Sequence, residues 1–220
     1  IIMPRGCGKG LIIMNCIFQF YRENLDHCFF FSPTAWNDDT YAPVRKYYSE
    51  TIYTAYDDNV MNDIIKYQGS FERKEMPRTL IVIDDHIGIK QRGFNDMISR
   101  GRHFNCSQII SCQSTRKIEK FVRNNLTDVI VGKTKNMKEI QAIYEEWGAL
   151  IGSFDEFYTL YKQCTSKKYD FMYLKLGNPV RVFHNFTQEL NINTTENEAD
   201  PINNTFITNN NDEKENEDLL

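Results

Sequence analysis

The chain has 220 residues, 41% hydrophobic and 25% charged, enough for one sizeable core of about 180 residues followed by a separate tail. Its formal net charge of −4 is unevenly placed: from Thr187 onward nine acids face the single Lys214, a net of −8, which leaves about +4 (−4 minus −8) on residues 1–186 and suits a polyanionic partner without requiring one. No apolar run is long enough to cross a bilayer, no secretory signal is visible, and the six cysteines (Cys7, Cys16, Cys28, Cys106, Cys112, Cys164) include no CxxC pair, so nothing supports a spanning helix, a zinc site or a disulfide framework, and an intracellular protein with reduced thiols is expected.

In chain order, Ile1-Ile2 reads as the end of a buried strand whose earlier residues are missing, followed by a glycine loop. Residues 9–21 (KGLIIMNCIFQFY) are apolar nearly all round, as in a helix packed inside an α/β domain. HCFFFSPTA (27–35) is a short buried strand running into a turn, residues 36–50 a polar-aromatic surface connection, and 58–67 an amphipathic helix. RTLIVIDDH (78–86) is the clearest strand: four apolar residues, then two carboxylates. A helix over 93–104, a strand over 106–114 and a short helix over 118–125 follow. Next come a strand over 128–133, helices over 137–150 and 153–165, and strands over 169–176 and 180–186 joined by Gly177-Asn178-Pro179. Alternating strands and helices predict an α/β fold: a mostly parallel central sheet with helices on both faces and an antiparallel C-terminal edge. The expected domain covers 1–186, and the Asn- and acid-rich residues 187–220 are expected to be a disordered tail.

Four stretches carry chemistry. MPRGCGKG (3–10) is nearly a phosphate-binding loop, in which backbone N–H groups wrap phosphates and a lysine reaches the β- and γ-phosphates. Gly8 and Lys9 are in place, Gly6 permits the tight path, and Pro4, Arg5, Cys7 and Gly10 complete the loop. Met3 stands where the pattern has its first glycine, and Gly10 where it has the Ser or Thr that ligates Mg²⁺. LIVIDDH ends a buried strand in Asp84-Asp85, at the carboxyl edge where open α/β sheets bind ligands. SQIISCQS (107–114) carries a strand ending in Gln113, an amide that would sit beside a γ-phosphate if its strand lies between loop and acids. SRGRHF holds Arg100 and Arg102, whose guanidinium groups suit a neighbouring subunit's nucleotide or DNA, or simply a solvated surface.

With these stretches in order, the chain resembles the viral genome-packaging ATPases of the FtsK/HerA superfamily, the poxvirus-type group of large DNA viruses and their relatives. The matching segments are PRGCGKG, LIVIDDH, RGRHFNCSQIISCQS and SFDEFYTLYKQCTSKKYDFMYLKL. The resemblance implies a P-loop ATPase with ATP and Mg²⁺ as cofactors. Lys9 would bind phosphate, Asp84 would serve the metal, Asp85 would be the catalytic carboxylate and Gln113 the sensor, with Arg100 or Arg102 acting in trans. It further implies a homo-oligomeric ring of five or six copies driving double-stranded DNA into a preformed capsid. Capsid or other virion proteins would be further partners, with no membrane, in the host cytoplasm at virus factories, in the nucleus or associated with the virion. Two alternatives stay open: a nucleotide-binding relative that does not hydrolyse, for which Gly10 is the motive, and a helicase of the same superfamily.

Overall fold

A computed structural model describes residues 1–85 and 88–192. Four strands, β1 (His27–Phe31), β2 (Ile52–Tyr53), β3 (Thr79–Ile83) and β4 (Cys106–Ile110), form a parallel sheet in the order β2-β1-β3-β4. The apolar runs of the two central strands, β1 and β3, fit burial on both faces. Phe30, Leu80 and Val82 point toward α1 (Lys9–Asn15), the helical turn Cys16–Tyr21 that continues it, and α2 (Ala42–Tyr48), where Ile13, Ile17 and Val44 meet them. Phe31, Ile81 and Ile83 point the other way, toward Met61 and Ile64 of α3 (Asp58–Gln68) and Phe94 and Met97 of α4 (Arg92–Arg100).

After the short helix α5 (Lys120–Arg123), β5 (Asp128–Gly132) opens a second sheet, antiparallel, in the order β5-β6-β7-β8. Helices α6 (Met137–Ile143) and α7 (Phe154–Cys164) lie between β5 and β6 (Phe171–Lys175), followed by β7 (Arg181–His184) and β8 (Gln188–Leu190). Ser153 caps α7 in a capping box with Glu156. The two sheets are joined by Ile2, which bridges in parallel to Cys112 on one side and Val131 on the other. Its N–H donates to the Ile130 carbonyl (2.8 Å), its carbonyl accepts from Gly132 (3.0 Å), and the Met3 N–H donates to the Cys112 carbonyl (3.0 Å). Toward the amino ends of β4 and β5 the strands part around a cavity of about 600 Å³, lined by Gln108, Ile110, Val129 and Ile130.

The expected fold class holds, with four differences of extent. The antiparallel part is a full four-stranded sheet, because β5 pairs with β6 in opposite sense instead of continuing the parallel order. β4 ends at Ile110, and residues 111–114 leave it as a loop once Ile2 takes over pairing at Cys112. The connection at 36–50 holds a 3₁₀ turn, Asp39–Tyr41, capped by the Asp38 carboxylate, and then α2 with proline in its first turn. Residues 188–190, expected in the tail, form β8 paired with β7, and the Arg181 guanidinium donates twice to Glu189, at 2.6 Å each. The remaining expectation for the tail, residues 193–220, lies outside the described residues. Among the described residues no helix is long and apolar enough to cross a membrane.

Candidate functional site

The glycine loop leaves the Ile2 bridge and enters α1 at the carboxyl edge of the parallel sheet. Gly6 (φ 74°) and Gly8 (φ 91°) both take left-handed backbone, which glycine adopts without steric cost. A Cβ on Gly8 would lie 3.1 Å from the ring of Tyr169, so the loop packs closely under that side chain. Pro4 and Arg5 form the outer rim, and the Cys7 thiol donates to the Lys133 carbonyl (3.5 Å). Met3 is wholly buried against Ile12, Cys16, Ile130 and Phe171. It fits because residue 132 is glycine: a Cβ there would come within 2.6 Å of the Met3 side chain. The first departure from the loop pattern is therefore a core residue with its own socket.

The acid pair follows β3 directly. The Asp84 carboxylate is buried and held by three hydroxyls: Ser111 donates to Oδ1 (2.5 Å), and Tyr41 (2.7 Å) and Ser32 (3.0 Å) donate to Oδ2. Asp85 has left-handed backbone (φ 53°), a conformation aspartate tolerates better than most residues, and its N–H donates to Ser111 Oγ (3.1 Å). That turn aims its carboxylate at Lys9, which donates to Asp85 Oδ1 and lies 3.6 Å from Asp84 Oδ1. Burial pushes the Asp85 carboxyl up, but Lys9, Gln113 and Arg5 together pull it below the usual carboxylate range. Burial and the neighbouring Asp84 charge push the Tyr41 phenol far up, so it stays a neutral donor.

Gln113 reaches the same point from the loop after β4, its amide 3.4 Å from Asp85 Oδ1. The loop is fixed from below by Glu139 of α6, a buried carboxylate that accepts from the Thr115 N–H (2.5 Å), the Thr115 hydroxyl (2.6 Å) and the Ser114 hydroxyl (2.7 Å). Lys9, Asp84, Asp85 and Gln113 thus come together at one point of the sheet edge. Arg100 and Arg102 do not join them within one chain. Both are exposed at the amino end of β4, about 20 Å of strand and loop away from Gln113. Arg100 pairs with Asp96 (3.6 Å) and lies over the Phe104 ring, and Arg102 borders the cavity described above.

Four contributors carry no sequence signal of their own: Ser32, Tyr41, Ser111 and Glu139. Each is an ordinary polar residue brought in by the fold from a strand end, a connection or a helix. The donor set suits Mg²⁺ with a triphosphate. Asp84 and Asp85 offer hard oxygen ligands side by side at this edge. That matches a cation bound through one or two carboxylates plus substrate phosphates.

Residues 1–150 match the family described as Poxvirus A32 protein. The chain belongs to that family. No curated protein sequence matches it. Among solved structures, this A32-family chain is similar to the genome packaging NTPase B204 of Sulfolobus turreted icosahedral virus 2 in complex with ATP-γS. The identity is 16%, covering 82% of this chain and 93% of B204, with a TM-score of 0.56. The same protein with AMP gives 15% identity over the same shares and a TM-score of 0.59. The cytoplasmic domain of the type VII secretion ATPase EccC from Thermomonospora curvata matches at 13% identity, covering 83% of this chain and 24% of EccC, with a TM-score of 0.56. The A32-family chain thus has the P-loop NTPase fold of these proteins.

Proposed function

We propose that the chain is an ATPase that uses Mg²⁺-ATP at this site to drive double-stranded DNA into a viral capsid. The observation that carries the reading is the meeting of Lys9, Asp84, Asp85 and Gln113 at one sheet edge beside the left-handed glycine loop. Membership of the A32 family and the likeness to a protein described as a genome packaging NTPase support the choice of cargo.

Without nucleotide, Asp85 neutralises Lys9. An entering triphosphate competes for Lys9, whose ammonium then pairs with the β- and γ-phosphates, and the Asp85 carboxylate is released to face water. Gln113, held by the loop that Glu139 anchors, orients that water. Its oxygen bonds to the γ-phosphorus while the bond from that phosphorus to the β,γ-bridging oxygen breaks. ADP leaves with the bridging oxygen, and Asp85 takes the proton from the attacking water. Mg²⁺ bound at Asp84 would supply positive charge to the β- and γ-phosphate oxygens. Arg100 and Arg102, exposed and far from their own site, would serve a neighbouring copy in a ring of this chain or contact DNA. Capsid proteins are further partners, and the viral factory in the cytoplasm is the place of action.

Gly10 favours a second reading, nucleotide binding without turnover, because the loop lacks its own hydroxyl. ATP turnover with and without duplex DNA separates the two. The motor raises turnover on adding DNA. A chain that binds ATP yet stays silent under both conditions is a binding relative.

A further inference from the structure

The missing loop hydroxyl has a neighbour in its place. A Cβ built on Gly10 would lie 3.2 Å from the Tyr41 hydroxyl and 3.2 Å from Thr40 Cγ2, closer than side chains ordinarily pack. The Tyr41 hydroxyl therefore occupies the space into which a Ser or Thr at position 10 would project. It does so with a defined partner, donating to Asp84 Oδ2 at 2.7 Å. Nor is the side chain there by loose fit. Tyr41 is buried, its ring packs edge-on against Phe30 (centroids 4.9 Å apart), and it ends the 3₁₀ turn capped by Asp38. Arg45 ties that segment down by donating to the carbonyls of Ala35 (2.7 Å) and Asp38 (2.8 Å). A glycine at 10 and a tyrosine at 41 are each what the other needs.

We infer that the Tyr41 hydroxyl takes over the work of the hydroxyl that Gly10 lacks, orienting Asp84 and completing the metal side of the nucleotide site. Tyr41 is a positioning residue here, acting through the Asp84 carboxylate. Its proton is committed to Asp84 Oδ2, which Ser32 also fills, so the remaining lone pair of the carboxylate, on Oδ1, is the one left for a cation; the tyrosine's own oxygen keeps lone pairs for the polar surroundings of the metal. Gly10 in this setting is an accommodation for Tyr41 and not a lesion. The inference rests on the nucleotide-site reading above.

The test is binding of a fluorescent ATP analogue, titrated in Mg²⁺ and in EDTA, so that the gain in affinity from Mg²⁺ is read without turnover. The proteins are the native chain, Tyr41→Phe, Gly10→Ser and the double variant, each with a thermal midpoint as a check on folding. Tyr41→Phe keeps the ring and removes only the hydroxyl, and it is expected to cut the Mg²⁺ gain by about tenfold or more. In the double variant the lost hydroxyl leaves room for Ser at position 10, and the gain returns. Gly10→Ser alone, crowded by Tyr41, shows no increase over native. A Tyr41→Phe protein with the full Mg²⁺ gain overturns the proposal, and so does a lost gain that the double variant fails to restore. Should Tyr41→Phe not fold, Tyr41→Met replaces it: a flexible apolar side chain fills the buried space and supplies no hydroxyl, so an undiminished Mg²⁺ gain there is equally fatal. Native protein that binds no nucleotide in either condition removes the proposed function together with this proposal. Native binding with an unaffected Tyr41→Phe removes the proposal alone.

Discussion

Restoring the usual glycine at position 3 is expected to harm the protein. Met3 is wholly buried in a cluster with Ile12, Cys16, Ile130 and Phe171, and its side chain fills the space over Gly132. Emptying a buried methionine site costs about 2–5 kcal/mol, and a glycine backbone adds about 0.5–1 kcal/mol, so Met3→Gly should lose about 4 kcal/mol. For a domain of this size that lowers the thermal midpoint by about 8–16 °C. The partner half of the fit gives a cycle. Gly132→Ala in the native chain forces a methyl to within 2.6 Å of Met3 and should cost about 1–3 kcal/mol through overpacking. In a Met3→Ala background the same methyl enters space already vacated, and the two changes should couple by about 1–3 kcal/mol. Thermal and urea unfolding of native protein, Met3→Gly, Met3→Ala, Gly132→Ala and the Met3→Ala/Gly132→Ala double variant measure this. A Met3→Gly midpoint within about 2 °C of native, or a Gly132→Ala penalty that does not depend on residue 3, would refute the socket.

Two further predictions concern the site. Glu139→Ala strips the acceptor from the Thr115 N–H and two hydroxyls, so it should lower stability by about 3 kcal/mol and, by loosening Gln113, reduce kcat by about tenfold or more; Glu139→Gln, which keeps one acceptor oxygen, should lose less of both in parallel urea and turnover measurements. The carboxyl of Asp85 is depressed in the folded chain, so its ion pair with Lys9 contributes stability that is fully present above the unfolded value near about pH 4 and is lost as pH falls through the lower folded value. Urea midpoints taken from pH 6 down to pH 2 should therefore converge for native and Asp85→Asn below about pH 4, whereas a constant gap would mean the pair contributes nothing through its charge.

The parts of the protein visible in sequence are those whose signal is local. Residues 80–83 are an unbroken apolar run followed by two carboxylates, and Gly6 and Gly8 before Lys9 mark the loop, so β3, Lys9, Asp84 and Asp85 could be placed by pattern alone. Gln113 was legible for the same reason, though it projects from a loop and not from the strand itself. What the sequence hid depends on contacts distant along the chain. Tyr41 sits in a stretch of polar and aromatic residues that looks like surface, and only the fold brings its hydroxyl to Asp84, 43 residues away. Glu139 lies on α6, 24 residues from the Thr115 it anchors. Met3 shows in sequence only as a departure from the loop pattern, because the glycine that accommodates it is at position 132. The strand β8 was lost among acidic and Asn-rich residues, since three residues held by edge pairing and one Arg181–Glu189 contact leave no apolar periodicity to see.

The central claim is that the loop ending in Lys9-Gly10 is a working nucleotide site. It is tested most directly by ATP hydrolysis with Mg²⁺, comparing the native chain with Lys9→Ala and Asp85→Asn. The native chain should turn over ATP, faster with duplex DNA, and both variants should lose that turnover by about a hundredfold or more. Native turnover that survives unchanged in either variant would place the chemistry elsewhere and contradict the site.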